Sequence, residues 1–116
     1  MTAKRSVQPS TVGGRYLTTR QGLRVYEVSG GQVRDRLATD FTMGGHRRVY
    51  PFIPQGEVWI ERGLGKRDRE ALILHETTEV AAMRRGCSYP KAHRLATQRE
   101  YRFRHKPATK TRRRKR

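Results

Sequence analysis

The sequence predicts a small α+β domain in which a β-sheet or set of hairpins, about residues 15–61, packs on an antiparallel helix pair, about residues 66–85 and 89–104. Three observations carry this. Leu23–Val28 and Glu57–Glu61 are rich in β-branched and aromatic residues, with the alternation of a strand. Residues 66–85 contain neither proline nor glycine and carry apolar side chains at helical spacing. Only Gly86, Cys87 and Ser88 separate them from a second helical stretch, and so short a link predicts antiparallel neighbours.

Taken in order, residues 1–14 mix Ser, Thr, Gly, Pro and bases without periodicity and predict a flexible N-terminal arm. Leu23–Val28 is the first clear strand. Gly30-Gly31 then reads as a hairpin turn and Gln32–Leu37 as the returning strand. Met43-Gly44-Gly45 interrupts the chain, Arg48-Val49-Tyr50 resumes an extended pattern, and Pro51 and Pro54 keep the next link out of a helix. Glu57–Glu61 is a strand, with Trp59 expected in the core against the long helix that follows.

Gly65 is a candidate N-cap for that helix, Asp68 suits the positive end of its dipole, and Gly86 is a stop. Leu72, Ile73, Leu74, Val80, Ala81, Ala82 and Met83 surround most of its circumference, which predicts burial. Ser88 and Pro90 open the second helix, with Tyr89, Ala92, Leu95 and Ala96 as its apolar contacts. The domain is expected to span residues 15–105, and residues 106–116 to form a disordered basic tail.

Length and charge bound the function. A chain of 116 residues holds one modest core, and a formal charge of +17 from 27 bases and 10 acids calls for a polyanionic partner, nucleic acid first. Arg102, Arg104, Lys106, Lys110, Arg112, Arg113, Arg114, Lys115 and Arg116 follow one another without an acid and suit phosphates rather than base edges. Tyr101 and Phe103 stand at their root, where base stacking and helix packing are both open readings. No apolar run is long enough for a membrane span or a secretory signal, so the expected location is cytoplasmic, or packaged within a nucleoprotein assembly or virion. Cys87 is the single cysteine, which excludes an internal disulfide and a cysteine-rich zinc finger and reads as a small buried residue. Gly30-Gly31 and Gly44-Gly45 match no phosphate loop.

A metal site in this chain must therefore use histidine and carboxylate, and one segment offers both. His75 and Glu79 are four residues apart on one helix face, with Glu76 projecting at an adjacent angle. That arrangement supplies two ligands and a base for a divalent cation, Zn2+ or another. His93, early in the second helix, is the candidate third ligand. Glu100, seven residues further along the same face, could orient a ligating imidazole, and His46 is a candidate for the surrounding shell or an exposed loop residue. Neither Glu76 nor Glu79 has a Lys or Arg three or four residues away, in a protein crowded with both. Two unpaired acids at i,i+3 oppose helix formation unless a cation or proton intervenes. A buried His/Glu network without metal is the alternative.

The strand Glu57–Glu61, the short loop, Arg67–Leu74 and then His75-Glu76-x-x-Glu79 together resemble zincin metallopeptidases, most nearly the small ImmA/IrrE-type peptidases of phage and other mobile elements. The resemblance covers about residues 56–100. It implies a zincin-like fold, His75 as a zinc ligand, Glu76 as the general base, His93 as the distal ligand, and a protein substrate. The family motif is HExxH, and Glu79 stands where its second histidine would be. An anionic ligand raises electron density at the metal and weakens its acidification of water, which bears on catalysis more than on metal binding. Two functions remain: a small metal-dependent hydrolase that associates with nucleic acid through its tail, or a non-catalytic, nucleic-acid-associated component of a virion or ribonucleoprotein on the same scaffold, docking an assembly partner.

Overall fold

A computed structural model describes residues 6–106, so the outer tail bases Lys110 and Arg112–Arg116 lie outside the described residues. Within them the chain is α+β, with three α-helices and a four-stranded mixed sheet. Strands β1 (Arg15–Arg20) and β2 (Leu23–Val28) form an antiparallel hairpin closed by Gln21-Gly22, whose φ angles are 52° and 77°. Positive φ at both turn residues matches the twist of the flanking strands, and glycine adopts it without a steric penalty.

The hairpin expected around Gly30-Gly31 does not form. Gly30–Arg36 is instead helix α1, capped by Ser29, whose hydroxyl accepts from the Gln32 amide at 3.2 Å. Val33 and Leu37 lie one helical turn apart and pack into the same core cluster, so the helical period overrides the strand composition. The arm expected at residues 1–14 also gains structure: Pro9–Val12 is a 3-10 helix, and Val12 is buried.

Strands β3 (Gly44–His46) and β4 (Glu57–Glu61) complete the sheet in the order β1-β2-β4-β3, with β2 parallel and β3 antiparallel to β4. A parallel β2/β4 pair needs a crossover, which residues 29–56 provide. Gly44 and Gly45, read as an interruption, are strand residues. A Cβ on Gly44 would lie 2.9 Å from the Trp59 carbonyl oxygen, and one on Gly45 would lie 2.6 Å from the Tyr50 ring, so only glycine permits this approach. The extended segment expected at Arg48–Tyr50 is a turn, with the Val49 and Tyr50 amides donating to the His46 carbonyl at 3.1 and 2.9 Å.

Helix α2 (Lys66–Arg84) covers one face of the sheet, and helix α3 (Tyr89–Arg104) packs along α2. Leu23, Val25, Val58, Ile60, Leu72 and Ile73 form the core between sheet and α2. Trp59 is buried as expected but on the opposite face, with Val12, Val33, Phe41 and Phe52. Strand side chains alternate, so Val58 and Ile60 cannot face α2 unless Trp59 faces away. Its indole donates to Glu57 Oε1 at 3.0 Å.

The α2–α3 turn follows the glycine-stop pattern: Gly86 has φ of 105°, and the Cys87 amide donates to the Ala82 carbonyl at 3.0 Å. Ser88 caps α3 through the Lys91 amide at 3.3 Å. Arg67 of the first turn of α2 donates to the carbonyls of Phe103 and Arg104 at the end of α3, which makes the pair antiparallel. Ala92 and Ala96 are the buried residues of α3, and their small side chains bring its backbone close to α2. Among the described residues no helix is long and apolar enough to cross a membrane.

Candidate metal centre

The centre is built around Glu79, in the fourth turn of α2, whose side chain is 2% exposed. A buried carboxylate needs hydrogen-bond donors or a cation, and three imidazoles from three elements supply the donors. His46, the last residue of β3, donates from Nε2 to Glu79 Oε1 at 2.7 Å. His75, one turn back on α2, meets Glu79 Oε2 through Nε2 at 2.9 Å, and His93 of α3 meets the same oxygen through Nδ1. Burial pushes the Glu79 carboxyl up, but the hydrogen bonds from His46, His75 and His93 together outweigh it and hold the group well below the ordinary carboxylate range.

The ligand atoms of His75, Glu79 and His93 lie within 4.8 Å of one another, a grouping that could hold a metal ion. All three were candidates from the sequence, and the antiparallel helix pair unites them. Glu100 comes to His75 rather than to His93: its Oε1 is 2.9 Å from His75 Nδ1, though without hydrogen-bond alignment, while its Oε2 accepts from Arg104 Nε at 2.7 Å. A carboxylate behind the distal nitrogen is the usual support of a ligating imidazole. Burial lowers the His75 pKa, but Glu79, Glu76 and Glu100 more than reverse this and raise it overall.

His46, Glu76 and Glu79 form a second grouping of the same kind. The His46 ring distinguishes its role from that of His75. Both Nδ1 atoms are buried without an aligned hydrogen bond, but only that of His75 has a carboxylate beside it, Glu100 at 2.9 Å; coordination through His46 Nε2 would leave its buried N–H unsatisfied. The neutral tautomer with the proton on Nε2 avoids this and donates to Glu79 Oε1, leaving Oε2 beside His75 and His93. His46 thus orients Glu79, and the strand glycines before it bring it to the core.

Glu76 lies at the same centre, its side chain 12% exposed and its Oε1 3.6 Å from His46 Nε2. Burial and the neighbouring Glu79 charge raise its pKa to about 7, against the opposing pull of His46, His75 and His93. A carboxyl poised there can exchange protons near neutrality. Glu76 and the His75, Glu79 and His93 side chains line a cavity of about 120 Å3, together with Gly45, Tyr50 and Tyr89. Tyr89, expected as an apolar contact, has its ring tilted against His93 at 5.8 Å between centroids, and the Arg48 guanidinium covers it at 4.9 Å. Its position four residues before His93 was the available signal.

The other predicted residues divide. Tyr101 is 61% exposed and Arg102 is also exposed, whereas Phe103 is partly buried beneath the Arg67 guanidinium, at 5.4 Å. Arg104 is engaged by Asp68 and Glu100, each at 2.7 Å, and so braces the helix pair. Lys106 is exposed at the end of the described chain, and Cys87 is partly buried. No family model, curated protein or solved structure matches the chain.

Elemental analysis of the purified protein should find one divalent ion per chain, lost in His75→Ala. His46→Ala should keep the ion but weaken its affinity by about 10–100-fold, the effect of losing a residue that orients a ligand; complete loss in His46→Ala would make His46 a ligand instead.

Because the Glu76 pKa in the fold is about 7 against an ordinary 4.5, the native state binds this proton more tightly than the unfolded chain. Its stabilisation is complete below about pH 4.5 and is lost as pH rises through about 7. In metal-free protein, wild type should therefore lose up to about 3 kcal/mol relative to Glu76→Gln between about pH 5 and 8. Urea unfolding of both proteins across that range measures the difference, and a constant gap would mean an ordinary carboxyl.

Proposed function

We propose that the protein is a small metal-dependent hydrolase, zincin-like in its site, with Zn2+ as the preferred cation and peptide bonds as the class of substrate. The observation that supports this is the gathering of His75, Glu79 and His93 on one ligand cluster beside a carboxyl, Glu76, whose pKa is raised to about 7. Imidazole nitrogen and carboxylate oxygen are zinc donors, and three protein ligands leave a coordination position for chemistry. A zinc ion bound there would supply Lewis acidity toward a carbonyl and toward water.

The protein's own part follows from the geometry. Glu76 would take the proton of the attacking water and return it to the leaving amine. Glu100 behind His75, and His46 behind Glu79, hold the ligating groups in orientation. Tyr89 lines the same cavity with its hydroxyl kept protonated, because burial and the charges of Glu79 and Glu76 raise its pKa. Glu79 in the place of a second imidazole makes the site more anionic than HExxH. That favours retention of the cation and slows the chemistry, and a slow peptidase is the expected result.

A second activity accompanies the first: association with nucleic acid through the end of α3 and the basic tail. The exposed Tyr101 ring stacks on His105 at 3.9 Å, beside Arg102 and Lys106, where the described chain runs on toward Lys110 and Arg112–Arg116. A planar aromatic pair among cations suits bases and phosphates together. Packaging of the protein with nucleic acid would serve either a catalytic or a structural role.

Zinc-loaded wild type should cleave an unfolded protein substrate. Glu76→Gln should reduce the rate by about 100-fold or more while retaining the metal, and a chelator should abolish cleavage reversibly. Full activity in Glu76→Gln with metal bound would remove the hydrolase reading. Separately, deletion of residues 107–116 removes Lys110, Arg112, Arg113, Arg114, Lys115 and Arg116. It should weaken binding to single-stranded oligonucleotide and reduce the slope of log K against log salt by up to about 4; an unchanged slope in anisotropy titrations would take the tail out of the interface.

A further inference from the structure

His46 also lines a recess larger than the metal-site cavity, of about 390 Å3. Val80 and Met83 of α2 give it apolar walls, and Arg47, Arg48 and Arg84 line it with positive charge. None of these guanidinium groups meets a carboxylate among the described residues. Arg47 donates to the Ser6 hydroxyl at 3.0 Å and the Ile53 carbonyl at 3.3 Å, and Arg48 lies over Tyr89. Residues 1–5 and 107–116 contain no Asp or Glu that could supply the missing partner. Glu57, also in the wall, is already engaged by Arg24 at 3.6 Å and by the Trp59 indole. The recess is therefore cationic, with an apolar lining.

It adjoins the metal centre through three pairs of neighbouring residues. His46 lines the recess and bonds Glu79; Arg48 covers Tyr89, which lines the metal-site cavity; and Val80 follows Glu79 on α2. We propose that this recess binds the carboxylate side chain of an Asp or Glu in a polypeptide, so that the protein selects an acidic residue beside the bond presented to Glu76. The catalytic half of this statement rests on the hydrolase reading; the binding half does not. A single acidic side chain suits the site because its methylenes meet Val80 and Met83 while its carboxylate reaches the arginines. A nucleic-acid backbone presents a spaced row of phosphates and suits an open track of cations better than a recess with apolar walls. Arginine adds direction, since its planar fork can hold a carboxylate by two parallel hydrogen bonds.

The test uses the full chain carrying Glu76→Gln, loaded with zinc so that binding is read without turnover. Two labelled hexapeptides that differ only in a central Glu or Gln are titrated by fluorescence anisotropy, alongside a single-stranded oligonucleotide. The Glu peptide should bind roughly tenfold more tightly, the effect of one charge-assisted contact. Arg84→Gln or Arg48→Gln, both at exposed positions, should bring that ratio towards one. Deletion of residues 107–116 should weaken both peptides alike and keep the ratio. Equal affinity for the two peptides overturns the proposal, as does a preference that survives both arginine substitutions or disappears with the tail. Arginine variants that lower oligonucleotide affinity and leave the peptide ratio intact would assign the recess to phosphate and also overturn it. Failure of the wild type to hydrolyse any peptide would sink the hydrolase reading while leaving the measured ratio to decide the recess.

Discussion

An ionised carboxylate with 2% of its side chain exposed cannot remain in a core unaided, and the way Glu79 is satisfied organises this molecule. Its partners come from the edge strand β3, from its own helix and from the neighbouring helix α3. Each of those elements must be in place for the charge to be tolerated. The sheet register that ends β3 at His46, the turn that folds α3 back on α2, and the small residues Ala92 and Ala96 between the helices can all be understood as conditions on one buried group. Removing any one imidazole leaves the carboxylate short of a donor.

That dependence explains why glycine occupies two adjacent positions in an edge strand, where it is otherwise unfavourable. Gly44 and Gly45 lie so close to the Trp59 carbonyl and the Tyr50 ring that no side chain fits. The close approach lets a strand of three residues hold His46 against α2. Met43, at φ of 65°, and the Glu61 carboxylate that accepts its amide at 3.1 Å fix the entry to this strand, and Arg34 holds the same carboxylate from α1. Helix α1 therefore braces the strand that delivers His46 to the site, although it lies on the far side of the sheet.

The legible parts of the sequence were those in which local period and long-range packing agree. Leu23–Val28, Glu57–Glu61, and both long helices with their caps and the Gly86 stop form where the pattern places them, because each buries an apolar face of matching period. His75, Glu79 and His93 could be brought together on paper, since helical spacing and a short turn determine them. The Gly30-Gly31 segment misled because glycine pairs suit hairpins, whereas the deciding facts were the Ser29 cap and the Glu61 side chain packed against Gly30. Trp59 faces the layer opposite α2, and strand composition does not say which alternate set meets which layer. The meeting of His46 with Glu79, 33 residues away, and the recess bounded by Arg47, Arg48 and Arg84 depend on the β3–β4 pairing, and no local pattern encodes them.

The charge distribution gives the remaining argument for a cation. In a chain of formal charge +17, Glu76 and Glu79 have no lysine or arginine in ion-pair contact among the described residues; their partners there are histidines. The acids around them are treated differently, since Glu27, Glu57, Glu61, Glu70 and Glu100 each meet an arginine. Permanent cations thus neutralise the acids that hold the fold together and leave the acids at the centre to groups that can give up a proton. A structural network would gain from a guanidinium at that position, because its charge does not depend on pH. A site that exchanges a metal ion or a proton requires the opposite, since a fixed guanidinium would compete with the ion for Glu79 and hold Glu76 ionised. Among the described residues no arginine pairs with Glu79 or Glu76, which leaves both carboxyls open to a metal ion or a proton.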